Sequence, residues 1–306
     1  MNDMTKDKFE GSLLGLALGD AIGAPLEGGP VEHFVWGLIG KTRKGELRWT
    51  DDTQMSLDLA EGLVAKGGVD PDDLAQRFAK GYRWSRGYGP GAAKLLKRIS
   101  KGADWREANR SIFPDGSYGN GGAMRVAPVG LFYSARPEQL VKAARQSARV
   151  THAHPLGIEG AVLVAAATAK AVTSKDPGQI LQAAAEHCEL DPFVQRLAIA
   201  RAWLDSGQVP PTKDVSQQLG NGIAAARSCV TAVYIAAQFL GESFVEMQGF
   251  VAACGGDVDT IGAMAGAIWG AANGAATLPA DDLARLEQRE RIQALAVALY
   301  GRSADG

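Results

Sequence analysis

Two short stretches of this sequence place paired carboxylates beside hydroxyls at the head of an apolar segment. Thr50-Asp51-Asp52-Thr53 lies between a loop containing Gly and Trp and an amphipathic stretch, and Gly255-Gly256-Asp257-Val258-Asp259-Thr260 precedes a long apolar one. Adjacent carboxylates repel each other unless they are solvated, cap free amides or hold a cation. Taken alone, each stretch reads as a helix N-cap, where Asp and Thr satisfy unpaired N–H groups and the dipole favours negative charge. Taken together, four carboxylates and two or three hydroxyls make a hard oxygen set suited to Mg2+ or Mn2+, and two ions could share one aspartate. A calcium loop of the EF-hand kind fails, because Ile261 and Ile268 would occupy its fifth and twelfth places and cannot ligate. Asp20 and Glu27, in the string GDAIGAPLE after the first apolar stripe, add two carboxylates read here as loop residues. The glycine and proline around Glu27 make it the better candidate for a positioned acid or base.

A third feature is Gly116-Ser117-Tyr118-Gly119-Asn120-Gly121-Gly122. Consecutive small residues expose backbone N–H groups that can cradle phosphate, and Tyr118 offers a face for a base or ribose. No strand precedes the loop and it does not match G-x-x-x-x-G-K-[ST], so neither a P-loop nor a dinucleotide fingerprint is present. His152 and His154 in THAHP read as a helix-start pair. With four histidines, three cysteines, no C-x-x-C and no H-E-x-x-H, a zinc site lacks ligands, and any metal needs oxygen donors.

These groups must be held by something, and the composition says what kind of scaffold. A chain of 306 residues can bury a large core, and its formal charge of −2 comes without a run of Lys or Arg, so no nucleic-acid or anionic-membrane footprint is visible. The opening MNDMTKDKFEGS lacks the basic and then apolar pattern of an export signal, and cysteine is scarce, which leads us to expect a cytoplasmic monomer. Apolar residues recur at helical spacing throughout, and period-two runs rich in Val, Ile and Thr are nearly absent, so the chain is predicted to be all-α. Phe9, Leu13, Leu16 and Ala17 make one stripe; Met55, Leu59 and Leu63 make another. Asp70-Pro71-Asp72-Asp73 opens a helix through Leu74, Phe78 and Tyr82, and Pro137-Glu138 starts a further one. Helices are predicted over 155–172, 177–188, 192–205, 229–240, 243–253, 258–275 and 281–299, the last lined by Leu283, Leu286, Leu295 and Leu299. No repeat or long linker divides the chain, so a single domain over 1–306 is expected. The irregular stretches 19–50 and 110–123 are long enough to suggest binding loops, and 205–215 a surface loop. Gly262, Gly266, Gly270 and Gly274 recur every four residues, a pattern also found in membrane helix pairs. The segment is rich in Ala rather than Leu or Ile, opens with two aspartates and contains Asn273, so a buried helix is the better reading. Each glycine costs about 1 kcal/mol in helix propensity against Ala, which close backbone approach to a neighbour would offset.

The strings GSLLGLALGDAIGAPLE, WTDDTQM, GSYGNGGAMRVAPVGL, THAHPLG and GGDVDTIGAMAGAIWGA together resemble, in order and spacing from residue 11 to about 275, the motifs of the ADP-ribosylglycohydrolases. That family includes the dinitrogenase-reductase-activating glycohydrolase and the ADP-ribosylarginine and ADP-ribosylserine hydrolases. The resemblance implies an all-helical single domain with a dinuclear metal cleft holding two Mg2+ (or Mn2+) ions. It implies hydrolysis of the ribosyl C1 bond of ADP-ribosylated protein side chains, O-acetyl-ADP-ribose or poly(ADP-ribose), releasing ADP-ribose. Carried over by position, the metal ligands would be Thr50, Asp51, Asp52, Asp257, Asp259 and Thr260, with Asp259 bridging. Glu27, Asp51 and Asp259 would be catalytic. Glu27, Gly116, Ser117, Tyr118, Gly119, Asn120, Gly122 and His152 would hold the substrate. The string GSYGNGGAMR is similar to the ADP-ribosylserine hydrolase branch, which has an aromatic residue eight positions before this Asn; here that place is Ile112, with Phe113 next to it. Two other readings share the same groups: a metal-dependent pyrophosphohydrolase, and a non-catalytic ADP-ribose-binding protein.

Overall fold

The computed structural model describes residues 3–27, 42 and 44–304; the middle of the predicted 19–50 loop, with His33, lies outside them. Among the described residues the chain forms helices and no strand, with two isolated bridges, Leu47 to Leu286 and Gly119 to Ala224. The helices are α1 (Asp3–Gly23), α2 (Asp51–Lys66), α3 (Pro71–Gly81), α4 (Pro90–Ile99), α5 (Trp105–Ile112), α6 (Ala127–Phe132), α7 (Pro137–Arg149) and α8 (Pro155–Thr173). They continue with α9 (Pro177–Ala185), α10 (Asp191–Ser206), α11 (Thr212–Gln218), α12 (Cys229–Gln238), α13 (Phe244–Cys254), α14 (Val258–Asn273), α15 (Ala280–Ala284) and α16 (Arg289–Ala304).

Local chemistry explains many of the starts. Asp70 accepts from the amides of Asp72 and Asp73 ahead of α3, with Pro71 at the first helical position. Ser243 and Glu246 form a reciprocal capping box on α13. The helix predicted over 281–299 is two helices: the chain breaks after Ala284, and Gln288 takes a left-handed φ of 56°. The break is held because Leu47 N donates to Arg285 O and Glu287 N donates to Leu47 O, contacts that an apolar period cannot reveal. The 205–215 loop is shorter than predicted, since α11 begins at Thr212, and residues 110–112 belong to α5.

The centre of the fold is the pair α1 and α14, where every residue from Val258 to Ala272 is buried. They run antiparallel with glycine against glycine. A Cβ at Gly11 would lie 2.5 Å from Gly270 O, one at Gly15 2.4 Å from Gly266 O, and one at Gly19 2.2 Å from Gly262 O. The approach expected for the glycines of α14 is therefore real, and its mate is a second four-residue stripe on α1. Each hydrogen standing where a Cβ would be faces a carbonyl, a contact worth ~0.5–1 kcal/mol, which offsets much of the helix-propensity penalty. Among the described residues one helix, Pro155–Thr173, is long and apolar enough to cross a membrane, and 72% of that window is buried inside the fold as a core helix.

Candidate active site

The glycine contact brings the last turn of α1 to the first turn of α14, since a Cβ on Gly23 would meet Asp259 Cα at 2.5 Å. Asp20 is therefore not the loop residue the sequence suggested; it sits in α1, fully buried. Its carboxylate accepts from Thr50 N (2.9 Å), Thr53 N (3.0 Å) and Thr53 Oγ1 (2.5 Å), so it caps α2 from a different helix. Thr50 adds its own cap through Asp52 N. The residues entering α2 are pinned from behind: Arg86 stacks 3.5 Å over the buried Trp49 ring, donates to Trp49 O and grips the Glu287 carboxylate with both nitrogens, while Trp49 Nε1 donates to Glu287 O.

The second corner turns on glycine. Gly255 and Gly256 have φ of 65° and 79°, and a Cβ at Gly256 would fall 1.9 Å from Asn221 O. That carbonyl accepts from Asp257 N at 2.8 Å. Asp257 occupies the N-cap place of α14 yet makes no capping bond with its side chain. Its Oδ2 instead accepts from Asn120 Nδ2, which also reaches Ser228 Oγ. Capping thus accounts for Thr50 but not for Asp257.

The two corners meet. Single carboxylate oxygens of Asp20, Asp52 and Asp259 lie within 4.8 Å of one another, as do those of Glu27, Asp257 and Asp259, so Asp259 belongs to both groups. Thr260 Oγ1 contacts Asp52 Oδ1 at 3.5 Å across 208 residues of sequence. Among the described residues no Lys, Arg or His forms an ion pair with Asp20, Asp52, Asp257 or Asp259, and Asp52 Oδ2 is buried without a hydrogen-bond partner. Burial, reinforced by the neighbouring carboxylates, raises the Asp51 carboxyl to about 8 and holds those of Asp52 and Asp259 well above the usual range; burial alone raises Asp20 to about 6. A buried all-oxygen set with an orphaned carboxylate oxygen, its aspartates free of ion pairs among the described residues, fits a hard divalent ion.

A pH dependence follows from those shifts. Unfolded carboxyls titrate near ~4, so between about 4 and 8 the metal-free fold holds protons that the unfolded chain has released, and its stability falls as pH rises. In EDTA the protein should melt at lower temperature at pH 8 than at pH 5, and Mg2+ should raise Tm more at pH 8. A thermal-shift series across pH reads both; a rising stability would mean that the acids are compensated by partners within the protein.

A cleft of about 320 Å3 opens over the acids. Glu27, Asp51, Asp52, Asp257, Asp259 and Thr260 line one end, and Ser117, Gly119, Asn120 and His152 line the wall. Thr50, 1% exposed, stands behind the cleft surface. Tyr118 is 57% exposed and packs its edge against His154 rather than into the cleft. Gly116 and Gly122 support the loop from behind, where a Cβ would strike His154 N at 2.2 Å or press on Ala148 Cβ at 3.2 Å. The two histidines part company: His154 caps α8 through Leu156 N, whereas His152 enters the cleft wall with Nδ1 2.7 Å from Thr151 Oγ1. Burial, with the guanidinium of Arg125 nearby, pushes the His152 imidazole down to about 3, so it is neutral. Phe113 lines the cleft while Ile112 packs against the core. The sequence reading missed the segment Gly87 to Ala92, whose GYGPG string carries the signal of a backbone wall; Gly91 lies so close to Phe113 that a Cβ would meet its ring at 2.3 Å.

A model of the ADP-ribosylglycohydrolase family matches residues 1–306. The chain is 35% identical to the ADP-ribosylhydrolase ARH3 of Gallus gallus, over 96% of this chain and 92% of that protein, and 34% identical to that of Homo sapiens, over 96% and 93%. A solved structure described as an ADP-ribosylglycohydrolase-related protein complex superposes with a TM-score of 0.73 at 28% identity, covering 99% of this chain and 100% of that one.

Proposed function

Because this chain belongs to the ADP-ribosylglycohydrolase family and is a glycohydrolase, we propose that it is a Mg2+- or Mn2+-dependent enzyme that hydrolyses the bond between C1 of the distal ribose and its acceptor, releasing intact ADP-ribose. The observation that carries this reading is the meeting of the two aspartate corners around Asp259, with no ion pair to Asp20, Asp52, Asp257 or Asp259 among the described residues. Two divalent ions would be held by Asp20, Asp52, Asp259 and Thr260 in one group and by Glu27, Asp257 and Asp259 in the other. Bound there, divalent ions would supply Lewis acidity and orient the ribose hydroxyls.

The protein's own groups do the rest. Breaking the C1 bond builds oxocarbenium character, which Asp51 and Asp259 stabilise by placing carboxylates beside the ring. Glu27, in the cleft lining beside Asp257 and Asp259, moves the proton between water and the departing acceptor atom. Asn120, in the cleft wall, also positions Asp257, since its amide nitrogen donates to Asp257 Oδ2 and Ser228 Oγ. Ser117, Gly119 and the neutral His152 leave the wall without a fixed charge, and Phe113, in the same lining, offers an apolar face to the base. The substrates this suits are ADP-ribose on a protein side chain, O-acetyl-ADP-ribose and poly(ADP-ribose).

Mass spectrometry of products from a panel of such linkages, with and without Mg2+, tests the assignment. ADP-ribose is the expected product, lost in EDTA; AMP with ribose phosphate would replace glycoside cleavage by pyrophosphate cleavage. Glu27→Gln should lower kcat roughly 10²-fold with little change in KM, the size expected for removing one general acid–base group. Wild-type turnover in that variant would take Glu27 out of the mechanism.

A further inference from the structure

Beyond Phe113, the cleft adjoins a second basin of about 320 Å3 that shares this ring as a wall. Its lining includes Trp105, Arg106, Asn109 and Arg110 from α5 and Arg149 from the end of α7, with Asp115 as its one acid. Arg106 stacks 4.3 Å over Trp105 and pairs with Asp72 and Asp104. Arg110 and Arg149 are exposed, and their guanidiniums have no hydrogen-bond or ion-pair partner among the described residues. Arg145 stands one turn before Arg149 on the same helix, and Lys142, Arg145 and Arg149 share that helix with no acid after Glu138. Beneath these cations lies Asn109, 3% exposed. Its Nδ2 donates to the carbonyls of Arg149 and Val150, which fixes the amide's orientation and leaves Oδ1 as a buried acceptor without a partner. The charge was invisible along the chain, because its contributors are about forty residues apart and only the packing of α5 beside α7 gathers them.

We propose that this basin is a subsite for a second nucleotide unit of the substrate, held by phosphate on Arg110 and Arg149, by its base or ribose between the Trp105 and Phe113 walls, and by a donor to Asn109 Oδ1. This rests on the reading of the first cleft as the ADP-ribose site. Two free guanidiniums suit phosphate, aromatic walls suit a base, and an orphaned acceptor suits an amino or hydroxyl donor; an acidic peptide would use only the first of these. Position names the unit: the scissile ribose lies at the acidic end, so a group beyond Phe113 extends the substrate on its adenosine side. The unit that fits is a further ADP-ribose in an ADP-ribose oligomer.

The full-length protein carrying both Arg110→Glu and Arg149→Glu tests this, on exposed positions away from the acidic cleft. For hydrolysis of a peptide carrying di-ADP-ribose at its peptide linkage, which puts the second unit on the adenosine side and releases di-ADP-ribose, KM should rise about tenfold or more, while kcat/KM on a mono-ADP-ribosylated peptide and the melting temperature stay unchanged. Equilibrium binding of labelled di-ADP-ribose in EDTA, which needs no turnover, should weaken in step, and its log–log salt slope should fall by about 1.4, two phosphate contacts at roughly 0.7 each. Equal losses on both substrates, or no loss on either, would overturn the subsite. A short DNA oligonucleotide that competes as well as the oligomer would make this a general polyanion surface and overturn the assignment to ADP-ribose units. Failure of the wild type to hydrolyse the mono-ADP-ribosylated peptide would strike the proposed function alone, because the binding arm still reports on the basin.

Discussion

Asp259→Asn should lower turnover by about 10³-fold or more while making the metal-free protein harder to unfold at pH 8. Its carboxylate is the one member common to both oxygen groups, 7% exposed, at the start of the helix that the glycine contact locks to α1. Removing it takes a ligand from each half of the site and a negative charge from beside the reacting ring. A metal and its charge contribute several kcal/mol to a transition state, and each 1.36 kcal/mol is a factor of ten in rate, which gives the three decades. The stability change has the opposite sign. Burial and the carboxylates of Asp52, Glu27 and Asp257 oppose ionisation of Asp259, so a neutral amide relieves repulsion that the metal-free fold otherwise bears once pH exceeds the unfolded carboxyl range. Toward lower pH, where more of the carboxyl in the metal-free protein is protonated, the gain should shrink. Steady-state assays, with melting curves in EDTA at pH 5 and 8, separate the two effects. Turnover within tenfold of wild type, together with an undiminished Mg2+-induced rise in Tm, would remove Asp259 from the shared position.

What could be read from the sequence was whatever is encoded within one helix or one turn. The α2 and α14 corners announce themselves because Asp, Thr and Gly must sit together to make them, and helices such as α3 carry their starts in four consecutive residues. Placement that depends on a partner element was not legible. Asp20 looks solvated in GDAIGAPLE, and only the packing of α1 against the head of α2 turns it into a buried cap. The predicted 281–299 helix fails at a point chosen by Leu47, some 240 residues away. Tyr118, an attractive aromatic in a glycine loop, points out to His154, while Phe113 takes the cleft because α5 ends one residue before it and Gly91 makes room for the ring.

The stripe on α1 was readable in principle, as Gly11, Gly15, Gly19 and Gly23 share the spacing of the stripe on α14, and it carries the largest expected effect on stability. Gly19→Ala should destabilise the protein by about 3 kcal/mol, at the upper end of what overpacking a core costs. Intrinsic helix propensity alone predicts the reverse, a gain of up to ~1 kcal/mol. The contact decides: the new Cβ would lie 2.2 Å from Gly262 O and 2.6 Å from Gly262 C, backbone atoms that cannot rotate away, and 2.8 Å from Gln248 Nε2. That amide donates to Gly262 O at 3.0 Å, so the carbonyl is held from its other side as well. The helices must therefore separate, and Asp20, the next residue, moves away from Thr50, Thr53 and Asp259 with them. Loss of Mg2+ affinity should accompany loss of stability, which a defect confined to the core would not produce. Gly249→Ala supplies the contrast, because that helical glycine is exposed with nothing within 4 Å of its Cβ, and the same substitution there should stabilise by ~0.5–1 kcal/mol. Denaturant melts of both variants, with Mg2+ titrations monitored by Tm, would show opposite signs if α1 and α14 hold the acidic site through their glycines; a Gly19→Ala protein as stable as wild type, with unchanged Mg2+ response, would mean that the contact is loose and that the site is held elsewhere.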